Sequence, residues 1–407
     1  MDESEQVEVS SIRWPERLNV HSDLDDDVVD FKRELESWLK QNVPEHVGLD
    51  DEVGRFEQRL RWQKTLFDAG WAGVSWPTEY GGRGAGPLQQ FVFYEAMARA
   101  SAPEPVNQPG IILFGPTLMV YGSEELKRRY LTRMLSAEDI WCQGFSEPEA
   151  GSDLGSLRTS ATFTDGRYVV RGQKIWTSFA PYANKCALLC RTDSSESGHG
   201  GLTMMILDLK QPGVEIRPIQ QITGDRRDFG ELFLDGATIE SDHVAGEVGR
   251  GWEFAMKMLE FERSDLGLHN HVRLESRVAV IADLLRDQSD RTGSFSDADV
   301  YGLRQRLADV WMRCNLLRQF NFATARRLAE GQAPEASASM LRLYWSELAQ
   351  AIGELEIDCA GADGPHHSEH AFEFLHSRHT TIASGTQQIQ RDLVAQRVLG
   401  LPRQKRG

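Results

Sequence analysis

The hydrophobic pattern of this chain changes its period twice, and this change limits the folds that its 407 residues can adopt. Before about residue 140, apolar residues recur at helical spacing, for example between Val28 and Leu39 and between Glu124 and Leu135. From about 140 to 245 the apolar segments are short and strand-like, and helical spacing returns from Gly251. The pattern therefore predicts a helical region, a β region and a second helical region, in that order.

The β region contains a strong hairpin signal. Asp165-Gly166 separates two strand-like segments, 160–163 and 168–170, and an Asp-Gly pair favours the tight turn that joins antiparallel strands. Further strands are predicted at 187–191, 204–209, 214–218 and 231–234. Several short strands separated by turn residues indicate a compact β-barrel or sandwich.

The second helical region contains four long periodic segments, which we predict at 251–287, 297–330, 334–361 and 386–399. Four long helices joined by short loops are typical of a helix bundle. Earlier in the chain, the glycine-rich segment Arg83 to Gly86 lacks the buried strand that precedes a phosphate-binding loop, so we predict a plain loop there.

The formal net charge of −16 argues against nonspecific binding to nucleic acid or anionic lipid, which requires a basic surface. The acidic start from Met1 to Val9 lacks the features of a signal peptide, and no apolar run is long enough to cross a bilayer. We therefore expect a cytoplasmic protein without a membrane segment. Its five cysteines lack zinc-type pairs, and we expect Cys186 and Cys190 to be core residues.

One acidic residue lies on the apolar face of the first long helix after the β region. Glu262 continues the three-to-four spacing of an inward-facing stripe formed by Ala255, Leu259, Leu266 and His269. Burial disfavours a charged carboxylate, so such a group must either be paired or act as a proton acceptor. From this helix alone, an ion pair, for example with Arg263, is the simpler interpretation.

Four ordered motifs change that interpretation. They run from Trp141 to Asp153, from Gly172 to Ser178, from Gly385 to Arg391 and from Leu399 to Pro402. The first of them, taken alone, has the composition of a polar loop. Together they closely resemble the acyl-CoA dehydrogenase family of flavoenzymes, and the resemblance extends from Trp76-Pro77 to Arg403.

This resemblance implies an α+β multidomain fold with an N-terminal α-helical domain (1–139), a middle β domain (140–247) and a C-terminal four-helix bundle (248–407). It also implies non-covalent FAD between the middle and C-terminal domains. Family motifs that line the flavin ring correspond here to Phe145, Ser146, Trp176 and Ser178. Ser152 matches a position near the pantetheine arm of acyl-CoA.

The last motif adds further FAD contacts at Thr386 and Gln388, and Arg291 lies near a position that contacts the cofactor of a neighbouring subunit. The implied reaction is α,β-dehydrogenation of an acyl-CoA thioester to the trans-2-enoyl-CoA, a reaction of β-oxidation and lipid metabolism. A base removes the α-proton, and the flavin accepts hydride from the β-carbon. No metal is required.

The position of the base departs from the commonest family pattern. Many members carry it just before the Gly-Thr of the last motif, where this chain has Ser384, which cannot act as the base. A minority branch places a glutamate before an arginine on the first bundle helix, and Glu262-Arg263 matches that arrangement. We therefore expect Glu262 to be the base, Arg263 to orient substrate, and the backbone N–H of Ser384 to polarise the thioester carbonyl.

Two family motifs are eroded. The usual Arg-x-x-Phe-Gly stretch appears as Arg291 to Phe295, and a glycine-rich loop appears as Asp358 to Gly364, where Asp363 would repel a diphosphate. Family members are usually tetramers, so we expect either a homotetramer or a heterotetramer with a sister subunit. The latter arrangement occurs in relatives that degrade steroid side chains. The resemblance implies electron-transferring flavoprotein as the electron acceptor.

Two other functions remain open at the level of sequence. The chain is a non-catalytic partner-binding subunit if no acyl-CoA reduces its flavin, and an oxygen-using enzyme if it releases peroxide without another acceptor. The five histidines between His366 and His379 form a cluster that we interpret as structural or solvated rather than metal-binding. The acyl group cannot be chosen from the sequence.

Overall fold

A computed structural model describes residues 24–45, 47, 51–196, 198–224, 228–265, 270–290, 296–332, 337–366 and 368–402. For residues 262–265, 287–290, 297, 337, 363 and 368 it describes the backbone alone. Arg291 lies outside the described residues, and of Glu262 and Arg263 only the backbone is described.

The N-terminal domain is helical, as predicted. Its helices are α1 (Asp26–Asn42), α2 (Glu52–Asp68), α3 (Pro87–Arg99), α4 (Gly115–Tyr121) and α5 (Glu124–Leu135). Side-chain caps explain two starts: Asp51 accepts the Gly54 N–H before α2, and Ser123 accepts the Leu126 N–H before α5. The segment before α3, Arg83 to Gly86, is a loop, which confirms that prediction.

The middle domain is a single seven-stranded mixed sheet. Its strands are β1 (Trp141–Gly144), β2 (Ser160–Thr164), β3 (Arg167–Ser178), β4 (Lys185–Arg191), β5 (Leu202–Asp208), β6 (Val214–Pro218) and β7 (Phe229–Glu240). The order is β1-β4-β2-β3-β7-β6, with β5 paired to β4. Asp165 and Gly166 both have positive φ values, 51° and 82°, which is the backbone of the predicted hairpin turn between β2 and β3.

One segment of this domain differs from what its composition alone indicates. The segment that begins at Trp141 has the composition of a polar loop, but its first four residues form β1. Parallel pairing with β4 satisfies their backbone groups and buries Trp141 and Cys142 almost completely. Tertiary burial therefore overrides the local composition.

The C-terminal region consists of α6 (Gly251–Asp265), α7 (Asn270–Asp290), α8 (Asp297–Ala329), α9 (Ser337–Ala360), α10 (Ser368–Ser377) and α11 (Gln387–Leu393). The bundle core lies between α7, α8 and α9, while α10 and α11 pack against α9. The structure describes helix on both sides of residues 266–269 within the segment predicted at 251–287, and these four residues lie outside the described residues. Helix α6 buries Phe254, Ala255 and Met258 in a core shared with the first two domains, whereas α7 faces the bundle.

Buried cysteines and helix lengths complete the description. All five cysteines are buried free thiols, and Cys186 and Cys190 lie in the core of the sheet, as predicted. Within the described part of the chain, no helix combines the length and apolar character needed to cross a membrane.

A buried charge network joins the N-terminal domain to the bundle. Glu95 on α3 is bonded by Arg318 of α8, with Nε 2.6 Å from Oε1, and by His271 Nε2 of α7 at 2.9 Å. Asn321 contacts the other nitrogen of His271 at 3.1 Å. Burial raises the pKa of Glu95, but the hydrogen bonds and charges of His271 and Arg318 outweigh it and lower the pKa to about 2.

Glu95→Gln is expected to lower the free energy of unfolding at pH 7 by about 3 kcal/mol, because it leaves the buried Arg318 without its counter-charge. A depressed carboxylate pKa contributes stability that is present above the unfolded value and lost as pH falls toward about 2. The difference between variant and native protein in urea denaturation should therefore be smaller at pH 3.5 than at pH 7. A difference independent of pH would contradict this account.

Candidate active site

The structure brings two of the predicted flavin-lining segments together. The Ile175 N–H on β3 donates to the Ser146 carbonyl, with 2.9 Å between N and O, so the residues after β1 lie beside the end of β3. Phe145 is buried, while Ser146 and Ser178 are partly exposed. The segment that carries Phe145 and Ser146 therefore lies beside the part of β3 that carries Trp176 and Ser178.

Trp176 is the most unusual residue of these segments. The register between β3 and β7 shifts between Lys174 and Thr177, and Trp176 has a left-handed backbone with φ of 57°. The residue is 59% exposed, and its ring makes an edge contact with Phe229 at 6.4 Å between ring centroids. A left-handed, non-glycine backbone that presents a large aromatic side chain to solvent is typical of a ligand-binding position.

The loop after β1 carries Ser152, the predicted pantetheine contact. Ser152 itself is exposed on the loop after β1. Three residues later, Gly155 closely approaches the ring of His199, so that an added Cβ would lie 2.7 Å from it. The His199 ring stacks on Trp252 at the start of α6, with 3.7 Å between centroids. The loop between β4 and β5 thus bridges the first motif and the helix that carries Glu262.

Helix α6 lies where the three domains meet. It packs against β5 of the middle domain and α4 of the N-terminal domain, and it also contacts α9 of the bundle. Ala255 and Met258 are buried on one face, and position 262 is one helical turn further along that face. The direction of the Glu262 side chain stays a prediction.

The last motif forms a left-handed turn before α11. Ser384 and Gly385 have φ values of 55° and 94°. Arg342 of α9 donates to the Ala383 carbonyl at 2.6 Å, and Gln390 donates to the Ser384 carbonyl at 3.1 Å. The backbone of the turn is therefore held from two sides.

Thr386 and Gln388, the two predicted FAD contacts of this motif, differ in their surroundings. Thr386 is the N-cap of α11, and its hydroxyl accepts the Ile389 N–H at 3.3 Å. Gln388 is exposed. Their contacts with FAD stay predictions.

His379 lies just before this turn, and its carbonyl accepts the Ile382 and Ala383 N–H groups. Burial lowers the pKa of His379, and the charges of Arg342 and Arg273 act in the same direction against the opposing effects of the His376 carbonyl and Asp228. These surroundings favour a neutral imidazole.

Two contacts involve histidines of the C-terminal cluster, of which His367 lies outside the described residues. His370 bonds the buried carboxylate of Glu356, and His379 bonds the His376 carbonyl at 2.5 Å. Among the described side chains, no group of three or more His, Cys, Asp or Glu is arranged to hold a metal ion.

The sequence interpretation missed several residues that shape the site. Its backbone segments are held by Lys174, Glu147, Arg342 and Gln390. All of these except Arg342 lie within the quoted motifs. Their charge and position in the motifs were visible, but nothing in the sequence shows that Lys174 is fully buried.

Comparison with known proteins decides the family. Models of the acyl-CoA dehydrogenase N-terminal, middle and C-terminal domains match residues 25–138, 142–237 and 249–399. The chain belongs to the acyl-CoA dehydrogenase family. This acyl-CoA dehydrogenase is therefore an oxidoreductase of a family that uses FAD, and the fold, family and cofactor predictions are confirmed.

Its relatives include mycobacterial acyl-CoA dehydrogenases and a solved structure described as a steroid ACAD. The chain is 37% identical to the acyl-CoA dehydrogenase IpdE1 of Mycobacterium tuberculosis over 94% of this chain and 100% of that protein. It is 26% identical to a solved structure titled Tcur3481-Tcur3483 steroid ACAD, with a TM-score of 0.80 over 94% of this chain and 99% of the other. The ChsE4-ChsE5 complex from Mycobacterium tuberculosis gives the same identity, TM-score and coverage.

The described residues fit an FAD ring. The exposed indole of Trp176 offers an apolar face, on a residue whose backbone is left-handed. Ser146 and Ser178 supply hydroxyl groups on the two segments that the Ile175–Ser146 bond joins. Trp176, Ser146 and Ser178 would hold the ring of FAD from this side.

Thr177 offers a test of how this bulge is packed. Its side chain is fully buried, and its hydroxyl has no hydrogen-bond partner among the residues that the structure describes. Thr177→Val should therefore raise the free energy of unfolding by about 1 kcal/mol, because it removes a buried unsatisfied group without changing the volume. FAD affinity should stay unchanged. A destabilised variant, or one that loses FAD, would reveal a role for the hydroxyl.

Proposed function

We propose that this protein removes two hydrogens from the α and β carbons of an acyl-CoA thioester, giving the trans-2-enoyl-CoA, with Glu262 as the base. The observation that carries the proposal is the place of position 262. It follows the buried Ala255 and Met258 on the face of α6 that packs against the N-terminal and middle domains, on a helix that also contacts α9 of the bundle.

Three features of the chain support this role. The turn before α11 carries Ser384, which has no carboxylate, so the base must come from elsewhere. The backbone N–H of Ser384 would polarise the thioester carbonyl and so acidify the α-proton. FAD, when bound, supplies the two-electron acceptor. Glu262 would hold the α-proton at a carboxylate oxygen, and Arg263 would orient the substrate.

A cation lies at the turn that carries Ser384. The guanidinium of Arg342 donates to the Ala383 carbonyl, next to Ser384, although the chain carries a net charge of −16. A developing negative charge on the thioester oxygen would be stabilised there. Ser152 at the rim would contact the pantetheine arm, and electron-transferring flavoprotein would reoxidise the cofactor.

Glu262→Gln should slow anaerobic bleaching of the flavin by an acyl-CoA about 10³-fold, because the proton acceptor is lost. The protein should keep its FAD. The matched control is Glu260→Gln, since Glu260 is exposed on the same helix and pairs with Lys257. Equal bleaching by Glu262→Gln and the native protein would remove Glu262 from the mechanism. Steady peroxide release in air without an added acceptor would instead indicate an oxygen-using enzyme.

A second variant tests the geometry of the base. Ser384→Glu in the Glu262→Gln background places a carboxylate on the turn that Arg342 and Gln390 hold. Partial recovery of bleaching is expected, because the two positions should flank the same α-carbon. No recovery with FAD still bound would argue that the turn does not face the substrate.

We also propose that this chain works with a sister subunit. Two structural neighbours at 26% identity carry titles that name two proteins, Tcur3481-Tcur3483 and ChsE4-ChsE5. Here the Asp358 side chain, in the last turn of α9, pairs with Arg306 at 2.7 Å, both about half exposed, where the eroded glycine-rich motif begins. The carboxylate of Asp363 in the same motif would disfavour a nearby diphosphate.

The flavin content of the purified chain measures this second proposal. The isolated protein should hold less than one FAD per subunit, and co-expression with the sister subunit should raise the content and the rate of bleaching together. One FAD per subunit and full activity in the isolated chain would support a homomer instead. Absence of bleaching with any acyl-CoA, even in the pair, would indicate a non-catalytic partner-binding subunit.

A further inference from the structure

We propose that Lys174 is a positioning residue that sets the shape of the flavin-binding surface from within the core. The inference rests on the proposed site, since it concerns the segments expected to line FAD. Lys174 precedes the bulge at Trp176, and its side chain is 0% exposed. Nothing in the proposed chemistry uses this buried cation. Its role is to hold the neighbouring segments in place.

The ammonium group of Lys174 joins both flavin-lining segments. Nζ donates to the Phe145 carbonyl at 2.9 Å and to Glu147 Oε1 at 2.9 Å. One residue along, the Ile175 N–H donates to the Ser146 carbonyl. The chain on either side of Ser146 is therefore attached to β3 immediately before the backbone turns to present Trp176.

Glu147 extends the connection to a third segment. Its carboxylate accepts the Arg158 N–H at 2.7 Å and the Thr159 N–H at 2.8 Å, just before β2. Backbone bonds between Glu147 and Ala150 in both directions close the turn that leads to Ser152. One carboxylate thus connects the loop after β1, the start of β2 and the core lysine.

The electrostatics make this arrangement demanding. Burial lowers the pKa of Lys174, although the charge and hydrogen bond of Glu147 oppose the effect. Burial raises the pKa of Glu147, but the charge of Lys174 and the hydrogen bonds from Thr159, Arg158 and Lys174 lower it overall. A buried ion pair of this kind adds little net stability, whereas removal of one partner leaves an unpaired charge. Its main effect is to fix where the three segments lie.

The test compares Lys174→Met with Lys185→Met. Lys185 lies on β4 of the same sheet and pairs with Asp208 at 2.6 Å, near the surface. Hydrogen exchange is measured on peptides covering 144–150 and 172–180, together with the FAD dissociation constant and the visible spectrum of bound flavin. Lys174→Met should speed exchange in both peptides and weaken FAD binding, each by about tenfold, and shift the flavin spectrum. Lys185→Met should change neither by more than about twofold.

Glu147→Gln keeps the size of the side chain and serves if Lys174→Met fails to fold. It should reproduce the faster exchange in both peptides. Unchanged local exchange and FAD affinity in the folded variants, or a uniform loss of protection across the whole sheet with FAD affinity unchanged, would overturn the positioning role. A native protein that binds no FAD, alone or with its partner, would sink the proposed function, while the exchange comparison would still decide the role of Lys174.

Discussion

A fully buried ammonium group fixes the backbone around it, because it must find hydrogen-bond acceptors where water cannot reach. Lys174 finds two of them in the Phe145 carbonyl and the Glu147 carboxylate. Those acceptors belong to the loop after β1, so the lysine determines how that loop lies against β3. The exposed Trp176 and the strained bulge beneath it depend on this attachment, and the surface expected to bind FAD follows from it.

The same principle recurs where the domains meet. Glu95 is buried with Arg318 and His271 between the N-terminal domain and the bundle, and Glu356 is buried with Arg277 and His370 within the bundle. Each carboxylate satisfies groups from different helices. Surface pairs such as Lys257 with Glu260 join residues of one helix and contribute little to stability. The buried networks therefore specify the packing of helices, which apolar contacts alone leave adjustable.

The candidate site is built from segments distant in sequence. The motifs at Phe145 and Trp176 are joined by the backbone bond from Ile175 to Ser146, the turn at Ser384 belongs to the bundle, and α6 contacts all three domains. A site at a domain boundary can bind a large cofactor and a long substrate together, since neither must be enclosed by one domain. Arg342 places a positive charge at the Ser384 turn, although the chain carries a net charge of −16.

The sequence by itself determined the order of the domains, the hairpin at Asp165-Gly166, the family and the position of Glu262 on its helix, because each of these depends on local spacing or on a short motif. Only the tertiary structure decided that the residues from Trp141 to Gly144 pair with β4, that α6 and α7 pack into different cores, and that Lys174 is buried while Trp176 is exposed. Burial depends on which distant segments pack against a residue. A lysine is therefore buried and a tryptophan two positions later is exposed, which is the reverse of their usual burial. The local sequence pattern does not show the reason.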